Sequence, residues 1–519
     1  GFRRVLFRSL AEYGIANVKT SSTDKDASSA FLKYADFSHY ADYFNGMEDE
    51  NIVQAIPNEK ASEWMEENIP LFECPQHNFE EMYYYRWWSL RKHIKETPVG
   101  YGMTEFLVQR SYSDKYNLIA CAIGHHIYES RWLRDPKYLD QIIHTWYRGN
   151  DGGPMKKMDK FSSWNADAVL ARYMVDGDKD YLLDMKKDLE TEYQRWERTN
   201  RLKNGLYWQG DVQDGMEESI SGGRRKKYAR PTINSYMYGN AKALSCIGIL
   251  SGDEGMAMKY GMRADTLKNL VENELWNTRH QFFETMRTDS SANVREAIGY
   301  IPWYFNLPDT TQKYEIAWKE IMDEKGFSAP YGLTTAERRH PEFRTRGVGK
   351  CEWDGAIWPF ASAQTLTAMA NFMNNYPQTV LSDSVYFRQM ELYVESQYHR
   401  GRPYIGEYLD EVTGYWLKGD QERSRYYNHS TFNDLIITGL IGLRPRLDNT
   451  IEVNPLIPAD KWDWFCLDNV LYHGHNLTIL WDKNGDRYHC GKGLRIFVDG
   501  KEVGQANTLT KIVCENALK

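Results

Sequence analysis

The sequence predicts a mainly α-helical protein, an (α/α)6 toroid of six helical hairpins with a small β-domain at its C-terminal end. About eleven segments between residues 80 and 443 carry apolar residues at helical spacing. After Pro445 the pattern changes to short alternating segments separated by turn signals such as Asn484-Gly485 and Asp499-Gly500. No short sequence period recurs, which argues against helical repeat arrays.

These patterns divide the chain into four parts. Residues 1–9 are basic and apolar but too short for a signal peptide, and they are interpreted as a non-native leader. Residues 10–79 are polar and interrupted by prolines, which predicts a lead-in or linker left from a truncated N-terminal region. Residues 80–443 form the helical domain, and residues 444–519 form a β-sandwich-like domain.

The predicted elements follow from apolar periodicity. The helices are 80–95, 118–129, 138–147, 162–175, 181–199, 233–250, 256–275, 312–322, 357–373, 385–398 and 430–442. The strands are 450–453, 476–481, 487–490, 494–498 and 510–513.

Charge and hydropathy exclude several classes of protein. The chain has 64 basic and 72 acidic residues, a net charge of −8, and its one basic block is Arg224–Lys227, so no nucleic-acid partner is predicted. No run approaches ~18 apolar residues, so no membrane span is predicted. Seven scattered cysteines without a CxxC pair predict neither a zinc knuckle nor a disulfide framework, although one or two bridges stay open.

Aromatic residues are abundant, with 17 Trp, 36 Tyr and 20 Phe in 519 residues. Trp and Tyr combine a flat apolar face with a polar edge, which suits sugars as ligands. Aromatic packing in a large helical protein is the alternative explanation.

A first loop, residues 205–222, concentrates carboxylates beside aromatic rings. Its members are Asp211, Asp214, Glu217 and Glu218, next to Tyr207 and Trp208. Carboxylates that repel and desolvate one another raise a pKa, which keeps one carboxyl protonated as a general acid requires. A solvated acidic loop with a helix cap at Ser219 is the alternative.

Two further loops supply rings and a second carboxylate. In residues 350–361, Trp353 and Trp358 flank Asp354 directly before a predicted helix, where Asp354 is also suited to capping. In residues 405–416, Glu407 is surrounded by aromatic side chains. These are Tyr404, Tyr408, Tyr415 and Trp416. Two carboxylates on separate loops with rings between them are what glycoside hydrolysis requires.

The three segments resemble, in order, motifs of inverting (α/α)6-barrel glycoside hydrolases of the mannosylglycerate hydrolase, processing α-glucosidase and trehalase type. Gln213–Ser219 lines up with E-S-G-[MW]-D-x-S and puts Glu217 at the position of the acid. Trp353–Pro359 matches the sugar-binding loop W-x-G-x-x-W-P. Glu407–Gly414 keeps the spacing of E-x-Y-[ND]-P-x-T-G, whose Glu is the base in the glucosidase branch.

The match is imperfect, which leaves alternatives open. Glu stands at 217 where the family has Asp, so Asp214 or Asp211 is an alternative acid. In trehalase the base lies further along the chain, which makes Glu422 and Asp434 lesser candidates for the base.

The resemblance implies an exo-acting, inverting glycoside hydrolase of bacterial polysaccharide degradation, similar to mannosylglycerate-hydrolase-like domains, some of which are β-L-arabinofuranosidases. It implies a periplasmic or secreted location and a carbohydrate as the only partner, and it predicts nothing about oligomeric state. The expected sugar-binding residues are Tyr207, Trp208, Arg230, Trp353, Asp354, Trp358, Tyr408, Trp416 and His429.

No metal or other cofactor is expected for this mechanism. The alternating carboxylates of Asp176–Asp180 suggest calcium but lack the glycine and terminal Glu of an EF-hand loop, so a turn is the preferred interpretation. A glycoside phosphorylase, a sugar epimerase and a non-catalytic carbohydrate-binding protein remain as alternatives.

Overall fold

The computed structural model describes residues 31–311 and 313–518. The interpretation of residues 1–9 as a leader therefore concerns residues outside the described ones, as does the first part of the predicted lead-in. The described chain is mainly helical, and its longest strands lie near the C-terminal end.

The α-helices are numbered in chain order. They are α1 Ser38–Asn45, α2 Ala61–Asn68, α3 His77–Lys92, α4 Ile123–Ser130, α5 Lys137–Arg148, α6 Asn165–Asp176, α7 Lys179–Asn200, α8 Pro231–Ser251, α9 Glu254–Leu270, α10 Ile301–Tyr304, α11 Pro359–Asn375, α12 Asp383–Glu395 and α13 Asn433–Leu435. Two π-helical turns, Val271–Leu275 and Ile436–Leu440, extend α9 and α13. The segment predicted as helix over 312–322 is a 3-10 helix at Glu315–Ile321.

The strands of the helical body are short hairpins. They are β2 Ile94–Thr97, β3 Gly100–Met103, β4 Trp208–Gln209, β5 Tyr228–Ala229, β6 Trp276–Asn277, β7 Phe282–Phe283, β8 Ser328–Ala329, β9 Gly332–Leu333, β10 Tyr398–His399 and β11 Arg402–Pro403. The other strands are β1 Leu71–Glu73, β12 Ile451–Val453, β13 Trp464–Tyr472, β14 His475–Asp482, β15 Gly493–Val498, β16 Lys501–Ala506 and β17 Ile512–Cys514.

Local sequence explains where the long helices begin and end. Helix α8 starts at Pro231, whose fixed φ and missing N–H suit the first helical turn. It ends at Gly252, which has a left-handed φ of 72°. The Asp178 side chain caps α7 by accepting from the Tyr181 amide, so the Asp176–Asp180 run forms a helix-capping turn.

A five-stranded antiparallel sheet near the C-terminal end has the strand order β1-β13-β14-β15-β16. Asp499 and Gly500 both have positive φ and form the predicted two-residue turn between β15 and β16. Residues 487–490 are not a strand as predicted, because the Asp482 carboxylate accepts from the amides of Arg487 and Tyr488 and holds them in a turn.

The described part of the predicted lead-in is folded, which corrects its interpretation as a linker. Residues 38–68 contain α1 and α2, and Phe44 and Met65 are fully buried in the main core. Strand β1 pairs with β13 at the edge of the C-terminal sheet. Asp468 on β13 accepts hydrogen bonds from the amides of Phe31 and Leu32. The segment before α3 is therefore an integral layer of the structure.

All seven cysteines are free thiols. Within the described ranges, no helix is both long and apolar enough to cross a membrane. No group of three or more His, Cys, Asp or Glu side chains among the described residues is arranged to hold a metal ion.

Candidate active site

Backbone hydrogen bonds join several of the segments that carry the candidate residues. The segment with Glu407 is bonded to the Trp353–Trp358 loop, because Ile357 and Leu409 exchange two N–H···O bonds of 3.0 Å. The Glu105 carbonyl, after β3, accepts from the Asn428 amide at 2.9 Å. The positions of the side chains in the site are thus fixed by contacts between distant parts of the sequence.

Glu217 lies in the loop between β4 and β5, between two left-handed residues, Gly215 with φ 72° and Glu218 with φ 65°. Non-glycine residues adopt this conformation at a cost, typically where the surroundings require it. Burial, together with the charge of Glu407, raises the pKa of Glu217 to about 7. A carboxyl with this pKa is protonated in a large fraction of molecules at neutral pH, as a general acid requires.

Glu407 has a different electrostatic environment. Its side chain is 5% exposed, and its carboxylate faces the Lys418 ammonium at 3.5 Å and the Arg423 guanidinium at 3.3 Å. Two cations thus compensate its charge, whereas Glu217 has no ion-pair partner among the described residues.

Glu217 and Glu407 lie within electrostatic range of one another, because the charge of Glu407 contributes to the raised pKa of Glu217. Burial raises the pKa of Cys351 to about 12, and the charges of Glu217 and Glu407 both contribute to this rise. The structure therefore brings together the two carboxylates that the sequence motifs selected, from segments almost 200 residues apart.

Glu105 is a third carboxylate of the cluster and was missed in the sequence. It accepts hydrogen bonds from the Tyr427 hydroxyl at 2.6 Å and the Cys121 thiol at 3.2 Å. Burial raises its pKa to about 7, with further contributions from the charges of Glu407 and Glu217. Its local sequence, Gly102-Met-Thr-Glu-Phe106, contains no other carboxylate and no Trp or Tyr, the signal used to find the other two.

Three aromatic rings are stacked in parallel beside the carboxylates. The Trp353 and Trp358 rings lie 4.4 Å apart at 20°, and the Trp358 and Tyr408 rings lie 4.5 Å apart at 17°. The Lys418 ammonium, which also faces Glu407, lies 5.1 Å from the Tyr408 ring centroid. The stack therefore forms a rigid apolar wall next to the carboxylates.

His429 lies behind this wall, fully buried, with its ring 3.9 Å from that of Tyr427 and 6.2 Å from that of Trp358. Burial lowers its pKa well below the ordinary value. Neither ring nitrogen has a hydrogen-bond partner among the described residues. Trp208 is partly exposed, with the Lys227 ammonium 4.4 Å from its ring.

Asp214 and Arg230 form a buried ion pair, which corrects their assignment as alternative acid and sugar-binding residue. The Arg230 Nε donates to Asp214 at 2.5 Å, and both side chains are inaccessible to solvent. The hydroxyls of Ser162 and Thr232 also donate to the Asp214 carboxylate. The pair fixes the acid loop to the start of α8.

Three other residues assigned to sugar binding have structural roles. Tyr207 is fully buried, with its hydroxyl directed to Glu197 at 3.4 Å. Trp416 is 1% exposed and donates from its indole N–H to the Tyr398 carbonyl. Asp354 is fully buried and accepts from the Arg346 and Gly347 amides, so it organises a loop instead of capping α11.

The lesser base candidates also lie elsewhere. Asp434 is buried and paired with Arg131 at 2.8 Å. Glu422 is exposed on a 3-10 turn. The alternative acid Asp211 caps the 3-10 turn Val212–Asp214, because its carboxylate accepts from the Val212 amide.

We expect Asp214→Asn to destabilise the fold, by about 3–5 kcal/mol, because it leaves the Arg230 charge buried and unpaired. The measurement is thermal unfolding beside Glu217→Gln, which removes no ion pair and should unfold near the wild-type temperature. Equal unfolding temperatures for Asp214→Asn and the wild type would contradict the structural role.

The pH dependence of the reaction should follow the carboxyl cluster. A general acid at Glu217, whose pKa is about 7, would make kcat/KM fall above pH 7, where this group loses its proton. The charges of Glu105 and Glu217 repel each other. Glu105→Gln removes one of these charges, so it should lower the pKa of Glu217 and move this fall to lower pH. If the fall of kcat/KM stays at the same pH or moves to higher pH in Glu105→Gln, the repulsion between Glu105 and Glu217 is contradicted.

Paired carboxylates beside aromatic rings suit the hydrolysis of glycosides. Residues 115–430, more than half of the chain, match the family model of the mannosylglycerate hydrolase MGH1-like glycoside hydrolase domain, and the chain belongs to this family. Residues 443–504 match the C-terminal domain of glycosyl hydrolase family 65. The family match confirms the type of glycoside hydrolase domain that the motifs predicted.

Solved structures show the same fold. A chain named sialidase is 95% identical over 97% of this chain with a TM-score of 0.94, and the present chain spans 46% of its length. The GH63 mannosylglycerate hydrolase from Thermus thermophilus is 13% identical, covers 69% of this chain and 99% of its own, and has a TM-score of 0.51. A GH78 family rhamnosidase of a Bacillus species is 10% identical, with 83% and 41% coverage and a TM-score of 0.58. At such low identity the last two show similarity of fold alone.

Proposed function

We propose that the chain is an exo-acting, inverting glycoside hydrolase in which Glu217 is the general acid and Glu407 the general base. The observation that carries this proposal is the contrast between two neighbouring carboxylates. Glu217 has a pKa of about 7 because it is buried, whereas Glu407 faces two cations. Environments that differ in this way are how paired carboxyl groups divide the roles of acid and base.

The proposed site suits a terminal sugar. Glu105 and Glu407 are nearly inaccessible, at 4% and 5% exposure. An enclosed site of this kind accommodates the end of a chain better than its middle, which supports exo-action. We propose further that the helices close into an (α/α)6 toroid, a proposal supported by the fold similarity to the mannosylglycerate hydrolase.

The experiment that tests the proposal is proton NMR of the first product from a panel of oligosaccharides and aryl glycosides. We expect release of a single terminal sugar with an anomeric configuration opposite to that of the substrate. Retention would overturn the direct attack of water, and internal cleavage would overturn exo-action. A rate that depends on inorganic phosphate would favour the phosphorylase alternative, and saturable sugar binding without turnover would favour a binding protein.

The name of the 95% identical chain suggests sialosides as a second substrate class. Sialidases use a Tyr nucleophile, and Tyr427 donates to Glu105 at 2.6 Å here. However, burial and the charge of Glu105 raise the pKa of Tyr427 well above its usual range, which disfavours a phenolate nucleophile. We therefore favour the two-carboxylate mechanism, and sialosides in the panel beside Tyr427→Phe distinguish the two, because a Tyr nucleophile would be lost in that variant.

A further inference from the structure

The segment Glu342–Gly347, which contains none of the residues selected from the sequence, contacts all three loops that carry the candidate site. We call it the arginine bridge, because Arg344 and Arg346 between them reach all three. The bridge is fixed to the loop of the aromatic stack by the Asp354 carboxylate, which accepts from the Arg346 and Gly347 amides at 2.6 and 2.9 Å. The Arg344 amide in turn donates to the Asp354 carbonyl at 2.9 Å.

Arg346 connects the bridge to the loop that carries the proposed acid. Its Nη1 donates to the Ser219 carbonyl at 3.1 Å and to the Ile220 carbonyl at 2.6 Å. These carbonyls come two and three residues after Glu217. Arg287 donates to the same Ile220 carbonyl at 3.1 Å, so the loop does not depend on Arg346 alone for its fold. Arg346 therefore acts mainly on where the acid loop lies.

Arg344 connects the bridge to the loop that carries the proposed base. Its Nη1 donates to the Glu411 carboxylate and, at 3.4 Å, to the Asp410 carboxylate. These two residues follow Glu407 closely in the sequence. The Nε and Nη2 of Arg344 hold the Glu352 carboxylate at 2.8 and 2.7 Å. Because a guanidinium is planar and presents its donors in a fixed geometry, the loops that carry these carboxylates are held in one relative arrangement.

The backbone of the bridge lies close against the loops. Arg344 has a left-handed φ of 54°, a conformation that a non-glycine residue adopts at a cost where the surroundings require it. A Cβ on Gly347 would lie only 2.8 Å from the Glu352 Cα, so a larger residue there would push the two segments apart. Phe343 packs against a small apolar cluster that includes Ile220 of the acid loop. The bridge is therefore held in place on both sides.

We propose that the arginine bridge positions the general acid relative to the general base. The proposal rests on the proposed function, because it takes Glu217 as the acid and Glu407 as the base. An inverting glycosidase needs a set distance between its two carboxyl groups, which leaves room for the attacking water. Arg344 and Arg346 join the two loops through one short segment, so this distance depends on both. They act through the loops that they hold and are positioning residues.

The first test is Arg346→Met, which roughly keeps the length of the side chain but removes both bonds to the acid loop. The substrates are the phenyl and dinitrophenyl glycosides of the sugar that the panel identifies. A displaced acid protonates the leaving oxygen less well, so kcat for the phenyl glycoside should fall roughly 10–100-fold, with little change in KM. For the dinitrophenyl glycoside, which needs no proton, kcat should stay near the wild-type value. An equal fall for both substrates, or no fall, would overturn the proposal.

Two controls separate positioning from stability. Arg338→Met is the matched control, because Arg338 also donates from Nη1 to two carbonyls, those of Glu324 and Ser328, outside the three loops. It should keep both rates. Arg346→Met added to Glu217→Gln should cause no further loss, since the acid is already gone. A selective fall in Arg338→Met, or a further loss in the double variant, would count against the bridge.

Arg344→Lys tests the other half of the bridge. Lysine keeps a positive charge beside the carboxylates but lacks the planar fork that holds them together. We expect kcat to fall roughly 10–100-fold for both substrates, as for a displaced base, and to fall no further when Glu407→Gln is added. Wild-type rates in Arg344→Lys, or a further loss in the double variant, would overturn its role.

The same measurements distinguish failure of the bridge from failure of the proposed function. If Glu217→Gln itself shows no dependence on the leaving group, the proposed function fails. If that dependence is present in Glu217→Gln and missing in Arg346→Met, the bridge alone fails. Circular dichroism establishes that each variant is folded. Should Arg346→Met not fold, Arg346→Lys, which keeps one donor group, takes its place with the same expected dependence and the same contradicting results.

Discussion

Glu407→Gln should lower kcat by about 10²–10⁴-fold for every substrate, whatever its leaving group. The amide has the shape of the carboxylate but cannot accept a proton from the attacking water. The fold should survive, because the two cations that face Glu407 at 3.3 and 3.5 Å are partly exposed and can be solvated. The measurement is kcat for an activated and an unactivated aryl glycoside, with circular dichroism to establish the folded state.

Glu422→Gln is the matched control for this variant. It makes the same chemical change on the same stretch of chain, but Glu422 is exposed. It should keep the wild-type kcat. Full activity in Glu407→Gln, or a loss in Glu422→Gln of the same size, would refute the assignment of the base.

Glu217→Gln should lose activity in proportion to how much the leaving group needs a proton. For an unactivated glycoside we expect a loss of kcat of about 10²–10⁴-fold, because glutamine cannot protonate the departing oxygen. For a dinitrophenyl glycoside, whose leaving group departs as an anion, the loss should be small. The two kcat ratios measured side by side therefore identify the acid.

The pH profile provides an independent control for Glu217. With the dinitrophenyl substrate, the decrease of kcat/KM above pH 7 should disappear in Glu217→Gln, since the group that loses its proton there is gone. A decrease that remains would assign that titration to another carboxyl, with Glu105 the first to examine because its pKa is also about 7.

The sequence motifs selected two carboxylates of the cluster but not the third. Glu217 and Glu407 were found because motif spacing is local. Glu105 belongs to the cluster only through its contacts with Tyr427, 322 positions along the chain, and with Cys121. No local pattern encodes a contact of that kind. Trp416 shows the converse: an aromatic residue in a loop reads as a sugar contact, whereas here it packs closely against Gly406 in the interior.

The same distinction applies to the fold. Helix α8 was predicted from its apolar spacing within two residues at each end, and Pro231 and Gly252 mark where it begins and ends. Strand β13 was missed because a bulge between Leu467 and Val470, with Asn469 at φ 59°, interrupts its alternation. Alternation is the signal by which strands are recognised in a sequence, and a bulge reverses it.

The pairing of β1 with β13 also bears on how such proteins are assembled from modules. Residues 443–504 match a domain family of their own, as if they could be exchanged between enzymes. Yet one edge of their sheet is completed by Leu71–Glu73, a strand that precedes most of the helical body in the sequence. A recombination event that transferred the C-terminal segment alone would leave β13 as an open edge with unpaired backbone groups, a template for aggregation. Strand β1 and the C-terminal strands should therefore be transferred together, along with the helical body that lies between them in the sequence.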